Sequence, residues 1–175
     1  LLRYLGGRGL GVGWLTEREP FPEDPLGEEA PLIFVSGALN GSSAPTSGRF
    51  SVTCRSPLTG TIVSANSGGF FGPALKRSGF DMVVVRGKSP KPVWLNIQEG
   101  KASLHEASDL WGLGAAAATE RLRNLASPQS RVLAIGQAGE RGVLFASLVN
   151  DGDRTAGRGG CGAVMGSKNL KALVV

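Results

Sequence analysis

Residues 150–175 read NDGDRTAGRGGCGAVMGSKNLKALVV, and the interpretation of the whole chain starts from them. Arg154 and Arg158 lie beside a cluster of glycines, and a helix-forming segment and an apolar run follow. Glycine lets a backbone approach a ligand closely, and arginine binds phosphate through two parallel hydrogen bonds. Free N–H groups at the start of a helix also attract anions. The stretch therefore favours a phosphate-binding loop, with a structural turn flanked by solvated arginines as the alternative.

A second copy of the pattern lies upstream, where residues 64–85 read SANSGGFFGPALKRSGFDMVVV. The first glycine loop (residues 68–72) and the second glycine loop (residues 157–162) each end at a glycine, and an apolar run ends thirteen residues later. Both copies predict a loop, a short helix and a buried strand in the same order. Self-similarity at long range indicates a duplication. Two such loops predict either two phosphates or one ligand with two similar halves.

Composition predicts one domain with a substantial core, because 175 residues are 41% hydrophobic. The 27 glycines exceed the usual share of about 7%, but they cluster between apolar runs and therefore punctuate folded structure. The net charge is +5, and the basic residues are scattered along the chain, so a nucleic-acid-binding surface is not indicated. A compact polyanionic cofactor would suit this charge as well as nucleic acid would. No apolar run is long enough for a membrane span. No signal peptide is recognisable, and the chain opens inside an apparent helix without methionine, which predicts a fragment of a longer protein.

Runs of strands broken by few helices predict an α+β fold. Strands are predicted over residues 32–35, 50–55, 61–64, 82–86, 93–97, 102–106, 131–135 and 143–149. Helices are predicted over residues 1–16, after each glycine loop, and from residue 109, capped by Ser108, to about residue 125, with Leu110, Leu122 and Leu125 facing a sheet. Residues 17–30 predict a surface loop.

Other chemistries find little support in the sequence. The second glycine loop formally satisfies G-x-G-x-x-G, but no strand runs directly into it and no acidic residue follows about twenty positions later. A phosphate-loop nucleotide-binding motif also fails, because Gly166 is followed by Ser167. Two cysteines are too few for a disulfide framework, a four-thiolate zinc site or a self-contained iron–sulfur site. His105, the single histidine, is predicted to be a surface residue.

Ten segments that follow one another from about Leu5 to Val175 match a known pattern: GGRGLG, APTSGR, SPLTG, ANSGGFFG, LKRSGFD, VVVRGK, KPVWLNI, DLWG, IGQAGE and NDGDRTAGRGGCGAVMGSKNLKALVV. In this order they resemble the N-terminal domain of the aldehyde ferredoxin oxidoreductases, and the resemblance covers nearly the whole chain. It implies a single cofactor-binding domain over residues 1–175, with cluster-binding and catalytic domains outside this chain. The implied fold is a duplicated, β-rich base of two sheets with few helices and a pseudo-two-fold repeat.

The resemblance also implies an oxygen-sensitive cytoplasmic enzyme that oxidises aldehydes to carboxylates and reduces ferredoxin. Such enzymes carry tungsten, or sometimes molybdenum, on two pterin dithiolenes, with a [4Fe–4S] cluster nearby that here would be ligated outside the chain. A Mg²⁺ ion bridges the two pterin phosphates. The expected partners are ferredoxin, the aldehyde, further domains of the same chain and a second copy of the protein, with no nucleic acid and no membrane.

The family pattern assigns site residues, none of them catalytic. Asn66 and the carbonyl of Thr155 would bind Mg²⁺, Arg49 and Arg154 would hydrogen-bond pterin, and Gly68 would allow close approach. The full set expected against the cofactor is Arg49, Asn66, Ser67, Gly68, Gly69, Arg154, Thr155, Gly157, Arg158 and Gly159.

Three departures from the commonest family pattern affect this site. Thr155 stands where alanine is frequent, which matters little if only its carbonyl binds. Asp153 could compete for Arg154. Cys161, in the second glycine loop, is expected to pack as a small buried side chain, with an acidified reactive thiol as the alternative. Two other functions stay open: a relative with the same base but different chemistry, such as an aromatic-ring or carboxylate reductase, and a non-catalytic module that binds a phosphorylated ligand.

Overall fold

A computed structural model describes residues 3–17 and 23–175. Within them the chain forms ten strands in two sheets and five short helices. The strands are β1 (Leu32–Ser36), β2 (Phe50–Arg55), β3 (Ile62–Ser67), β4 (Met82–Val85), β5 (Val93–Gln98), β6 (Lys101–Glu106), β7 (Val132–Ala134), β8 (Leu148–Asn150), β9 (Arg154–Ala156) and β10 (Leu170–Val174). The helices are α1 (Gly7–Thr16), α2 (Phe71–Arg77), α3 (Ala115–Leu125), α4 (Gln137–Glu140) and α5 (Cys161–Ser167).

The two sheets contain one strand arrangement twice. The four-stranded sheet has the order β3-β2-β1-β4, and the six-stranded sheet contains the order β9-β8-β7-β10, with every neighbouring pair in both sets antiparallel. In each set a seven-residue helix, α2 or α5, immediately precedes the last strand. The first residues of these helices, Phe71 and Cys161, are 90 positions apart in sequence. The predicted duplication and the α+β class with two sheets are therefore confirmed.

We call β1–β4 with α2 the first repeat and β7–β10 with α5 the second repeat. The β5–β6 hairpin lies between them in sequence and extends the second sheet through a parallel pairing of β5 with β10. The main hydrophobic core takes side chains from both repeats, including Phe34, Phe50 and Phe71 from the first and Met165 and Leu173 from the second. The two sheets consequently share one interior.

Helix α1 packs on the first sheet. A Cβ on Gly11 would approach the Thr53 side chain to 2.6 Å, so the helix lies too near β2 for any larger residue. The helix begins only at Gly7, so residues 3–6, which the sequence placed in the first predicted helix, lie before it. Leu1 and Leu2, and residues 18–22 of the predicted surface loop, lie outside the described residues.

Two segments differ from the sequence-based expectation. Helix α3 begins at Ala115 behind Gly114, whereas Ser108 donates to Glu106 Oε1 at 2.9 Å and caps no helix. Leu110 and Leu122 are buried as expected, but Leu125 is 63% exposed because it faces away from the sheet. Of the strand predicted over residues 143–149, only the end forms a strand, β8. The backbone before it turns at Gly142 and then lies against the start of α5, where the Gly162 N–H donates to Ala146 O. The sequence analysis missed α4 and β9.

Candidate functional site at the repeat seam

The two repeats meet along β3 and β9, which are in contact, and both glycine loops begin at this contact. We call this region the repeat seam: β3, β9 and the two glycine loops. Across it, a Cβ on Gly69 would lie 3.1 Å from Arg154 Cδ. A Cβ on Gly159 would overlap the side chain of Val63 on β3. Each glycine loop thus packs against the other repeat, and the two loops predicted to bind one ligand are brought together.

Asn66 and Thr155 occupy equivalent positions of the duplicated strands. Asn66 pairs with Ser51 on β2, and Thr155 pairs with Val149 on β8. Ser51 and Val149 are themselves equivalent. Ser51 directly precedes Val52, which pairs with Phe34 in the middle of β1, and Val149 directly precedes Asn150, which pairs with Leu133 in the middle of β7. A pseudo-two-fold axis that relates the repeats therefore exchanges Asn66 and Thr155.

Guanidinium groups lie exposed around the seam. Arg49, Arg154 and Arg158 are all exposed. Arg49 Nη1 donates to Asn66 Oδ1, so this arginine orients the amide of Asn66. Arg154 Nη1 lies 3.6 Å from Asp153 Oδ1, which is the pairing that the sequence raised as a competitor. Both side chains of this pair are at least half exposed, and ion pairs of that kind contribute little free energy, so Arg154 remains available to a ligand.

The glycines of the first loop differ in what surrounds them. Gly69 has a φ of +93°, a conformation that favours glycine. Gly68 lies outside that region, and a Cβ built on it would meet no atom of residues 3–17 or 23–175 within 4 Å. No described residue requires glycine at position 68. A ligand that lies close to the backbone would require it, because a side chain would occupy its space.

Ser67 is buried at the end of β3, and its Oγ makes a long contact, 3.5 Å, with Gly68 O. Gly157 is exposed, and a Cβ there would lie 3.3 Å from Thr155 Oγ1. Nine of the ten residues expected at the cofactor thus lie in the seam, and the tenth, Arg49, lies immediately before β2 and reaches the seam through its hydrogen bond with Asn66.

Asn150, on β8 beside the seam, contacts the first glycine loop and was not expected from the sequence. It lies at the end of β8, is fully buried, and its Nδ2 donates to Gly68 O in the other repeat. Asp151 follows with a positive φ of 53°, and its Oδ1 accepts from Arg123 Nη2 at 2.9 Å and from the Val132 N–H at 3.1 Å. The Asn-Asp-Gly triplet before Arg154 was the available signal, because these residue types favour turns with positive φ.

The two cysteines lie together beneath the seam. Cys54 Sγ on β2 is 3.6 Å from Cys161 Sγ at the start of α5, and both thiols are free and buried. The hydrogen bond with Cys161, followed by burial, raises the pKa of Cys54 well above its usual value. A protonated, buried thiol is unreactive. Cys161 is fully buried in the hydrophobic core, so its expected packing as a small side chain is confirmed.

The remaining candidate groups stay away from the seam. In residues 3–17 and 23–175, no three or more His, Cys, Asp or Glu side chains cluster closely enough to hold a metal ion. His105 is exposed on β6 and stacks on Trp94 with ring centroids 4.5 Å apart, as expected of a surface residue. In the same part of the chain, every helix is too short or too polar to traverse a lipid bilayer.

Comparison with known proteins gives one consistent family. The family model described as aldehyde ferredoxin oxidoreductase, N-terminal domain, matches residues 1–175. A tungsten-containing aldehyde ferredoxin oxidoreductase of Pyrococcus furiosus is 47% identical over 174 residues, which cover 99% of this chain and 29% of that protein. The WOR-like subunit of an aliphatic sulfonate oxidoreductase from the same organism is 33% identical, over 99% of this chain and 30% of that protein.

A solved structure shares the fold. It is the active-site complex BamBC of benzoyl coenzyme A reductase with 1,5-dienoyl-CoA, and it matches with a TM-score of 0.94 and 43% identity. The match covers 98% of this chain and 26% of that one. The chain thus spans less than a third of the length of each of these relatives. With the whole sequence matched by the family model, the chain belongs to the aldehyde ferredoxin oxidoreductase family.

Proposed function

We propose that this chain is the cofactor-binding base of a tungsten, or molybdenum, bis-pterin enzyme that oxidises aldehydes to carboxylates and reduces ferredoxin. The observation that supports the proposal most is the repeat seam, where β3 and β9 touch and bring together two glycine loops with three exposed arginines. The Pyrococcus furiosus relative, 47% identical, is a tungsten-containing aldehyde ferredoxin oxidoreductase, which supports tungsten as the metal and an aldehyde as the substrate.

The seam fits a ligand that carries two phosphates. The open space at Gly68 accommodates an atom of a ligand in close contact with the backbone. Arginine is suited to phosphate because its planar fork makes two hydrogen bonds at once. Helices α2 and α5 have only seven residues each, so the loops and arginines, more than the helix ends, would provide the binding free energy.

The pseudo-two-fold arrangement supports one Mg²⁺ between the repeats. Asn66 and Thr155 are equivalent positions on touching strands, so each repeat would supply one oxygen to an ion near the axis. Mg²⁺ prefers oxygen ligands and keeps several waters, so two protein oxygens are enough. Arg49 already donates to Asn66 Oδ1. If the side-chain oxygen of Asn66 binds Mg²⁺, Arg49 would hold that amide in place. If the backbone carbonyl of Asn66 binds the ion, the hydrogen bond between Arg49 and the side chain would not be needed.

In this proposal the chain holds the cofactor and performs no chemistry itself. When bound, the cofactor would supply the two-electron oxidation of the aldehyde, with water as the oxygen source. Arg49, Arg154 and Arg158 would balance the phosphate charge. The [4Fe–4S] cluster, the substrate channel and the contacts with ferredoxin would belong to other domains of the protein, which we propose to be a cytoplasmic homo-oligomer.

A second candidate is the same base in an enzyme of different chemistry. The relatives support it, because one is named as a sulfonate oxidoreductase subunit and another comes from a benzoyl coenzyme A reductase. Substrate specificity would be set outside this chain. The third candidate, a metal-free module for a phosphorylated ligand, would use the same loops and arginines.

Metal analysis of the purified full-length protein tests the proposal. We expect tungsten or molybdenum together with about four irons per chain, the content of one cubane cluster. Aldehyde-dependent reduction of a viologen dye would then separate the proposed activity from the second candidate. A protein free of both metals and of iron that still binds phosphate compounds would overturn the proposal in favour of the third.

A further inference from the structure

Asn150 connects the second repeat to the first glycine loop. Its side chain is fully buried, and its Nδ2 donates to Gly68 O across the repeat seam. The same nitrogen lies 3.0 Å from the position a Cβ would take on Gly69, and Arg154 pairs with Asn150 across the β8–β9 turn. The side-chain amide of Asn150 thus contacts the first glycine loop, and Asn150 itself pairs with Arg154 of the second repeat.

The fold itself does not require an amide at this position. Asn150 pairs with Leu133 in the second repeat, and Val52 pairs with Phe34 at the equivalent place in the first. Val52 is a buried residue of the hydrophobic core. Asn150 also leaves its Oδ1 buried with no partner among the described residues, which is an energetic cost. A buried amide retained where the other repeat has valine indicates a role for its donor.

That donor fixes the orientation of one peptide unit. In a planar trans peptide the C=O and the following N–H point in opposite directions. When Asn150 holds Gly68 O, the Gly69 N–H must point away from Asn150. The Gly69 N–H has no acceptor among the described residues. Because both residues of this peptide are glycines, rotation of the unit is otherwise inexpensive.

We infer that Asn150 is a positioning residue that locks the Gly68–Gly69 peptide with its N–H directed to the phosphate of the bound ligand. The inference rests on the proposed function and adds a residue that does not itself touch the cofactor. Without the lock, the peptide samples both orientations and the ligand loses one preformed donor. We expect the loss of one such hydrogen bond to speed cofactor release about tenfold.

The test compares three variants of the full-length holoenzyme. Asn150→Val introduces the residue of the first repeat. Asn150→Asp keeps the size and removes the donor. Asn96→Val is the matched control, because Asn96 also has a buried Oδ1 without a described partner but lies on β5, away from the seam. The measurements are tungsten retained per chain during dialysis against a chelator, and amide-hydrogen exchange of the peptide that covers residues 68–72.

We expect both Asn150 variants to lose tungsten about tenfold faster than wild type and to exchange faster in residues 68–72, with Asn96→Val unchanged in both. If Asn150→Val does not fold, the comparison rests on Asn150→Asp. A folded Asn150 variant that retains tungsten like wild type overturns this inference alone, and so does failure of both variants to fold, which would show a purely structural role. A wild-type protein isolated without tungsten or molybdenum overturns the proposed function as well.

Discussion

At the scale of single residues, the adjacent glycines Gly68 and Gly69 serve different purposes. Gly69 has a positive φ and lies against Asn150 and Arg154, so the chain itself requires glycine there. Gly68 has neither constraint. A substitution at each position therefore separates what the fold needs from what a ligand needs.

Gly68→Ala is expected to leave stability almost unchanged and to impair cofactor binding. The added methyl group meets no atom of the residues that the structure describes, but it would occupy the space proposed for the ligand. Gly69→Ala is the comparison, and we expect it to cost on the order of 1–3 kcal/mol of stability through backbone strain. Thermal unfolding of the metal-free protein and tungsten content after expression measure the two effects. Full tungsten occupancy in Gly68→Ala would contradict the placement of the ligand.

At the scale of secondary-structure elements, two lysines at the end of α5 and in β10 hold loops in place. Lys168 is 2% exposed, and its Nζ donates to Gly27 O at 3.4 Å and Glu28 O at 3.2 Å, which ties the segment before β1 to the second repeat. Lys171 is fully buried, pairs with Glu140 of α4 and donates to Leu113 O at 2.8 Å. Both lie in the KNLK sequence that follows the second glycine loop.

Because the pKa of Lys168 is lowered, we expect its contribution to the free energy of unfolding to rise at alkaline pH. Burial lowers the pKa of Lys168 from 10.5 to about 8. Between these values the unfolded chain binds a proton that the folded chain does not, so the free energy of unfolding increases from about pH 8 to pH 10.5. A pKa difference of this size corresponds to on the order of 3 kcal/mol. Urea unfolding between pH 7.5 and 10.5 measures it.

Lys168→Met is the control, because it removes this titration and keeps the length of the side chain. Cys54 acts in the opposite direction, since its raised pKa means that the unfolded chain loses the thiol proton first and stability falls above about pH 9. The prediction therefore concerns the difference between wild type and Lys168→Met. A difference that is flat across this pH range would show that Lys168 titrates as an ordinary lysine.

Breaking the Lys171–Glu140 pair is expected to destabilise the protein strongly. Glu140 Oε2 also accepts the Gly112 N–H at 2.9 Å, so the pair joins α4, β10 and the loop before α3. Lys171→Met leaves a buried carboxylate without its partner, at a cost of about 3–5 kcal/mol. The double variant Lys171→Met/Glu140→Leu should recover part of this loss. Chemical denaturation of the single and double variants gives the comparison, and an additive loss in the double variant would argue against direct coupling.

The sequence predicted elements well where periodicity was strong and poorly where neighbours decided the backbone. Strands β2 and β5 have the alternating or apolar patterns typical of strands. β9 is only Arg-Thr-Ala, and it becomes a strand because it pairs with β8. Val143, Leu144 and Phe145 resemble a strand, yet Phe145 is 67% exposed, because the backbone there is used to pack against α5.

At the scale of the whole molecule, both repeats depend on one hydrophobic core. Phe71 opens α2 of the first repeat, is fully buried, and belongs to the same cluster as Met165 and Leu173 of the second. The repeats should therefore unfold together and not as independent units.

Phe71→Ala tests this coupling. Removing the ring should cost about 3–5 kcal/mol through the lost burial and the cavity. We expect amide-hydrogen exchange to accelerate in β7 and β10 of the second repeat as well as in β1 and β2. The exposed Phe70 supplies the matched control, because Phe70→Ala removes the same ring outside the core. Acceleration confined to the first repeat would show that the sheets open separately.

The duplication and the candidate site could be predicted largely from the two glycine loops, because loop, helix and strand follow in the same order at the same spacing. The equivalence of Asn66 with Thr155 could not, since it depends on strand pairing within each repeat. The contact of Asn150 could not be predicted either, because its partner, Gly68 O, is 82 positions away in sequence and lies in the other repeat.

The matching strand order has a consequence for the origin of the chain. A polypeptide half this long would contain every element of one repeat, and two copies joined through their equivalents of β3 and β9 would form the same seam as a symmetric dimer. Tandem fusion of the gene then keeps the pairing but releases each copy to change alone. Val52 and Asn150, which occupy equivalent positions in the two repeats, are one such difference between the copies.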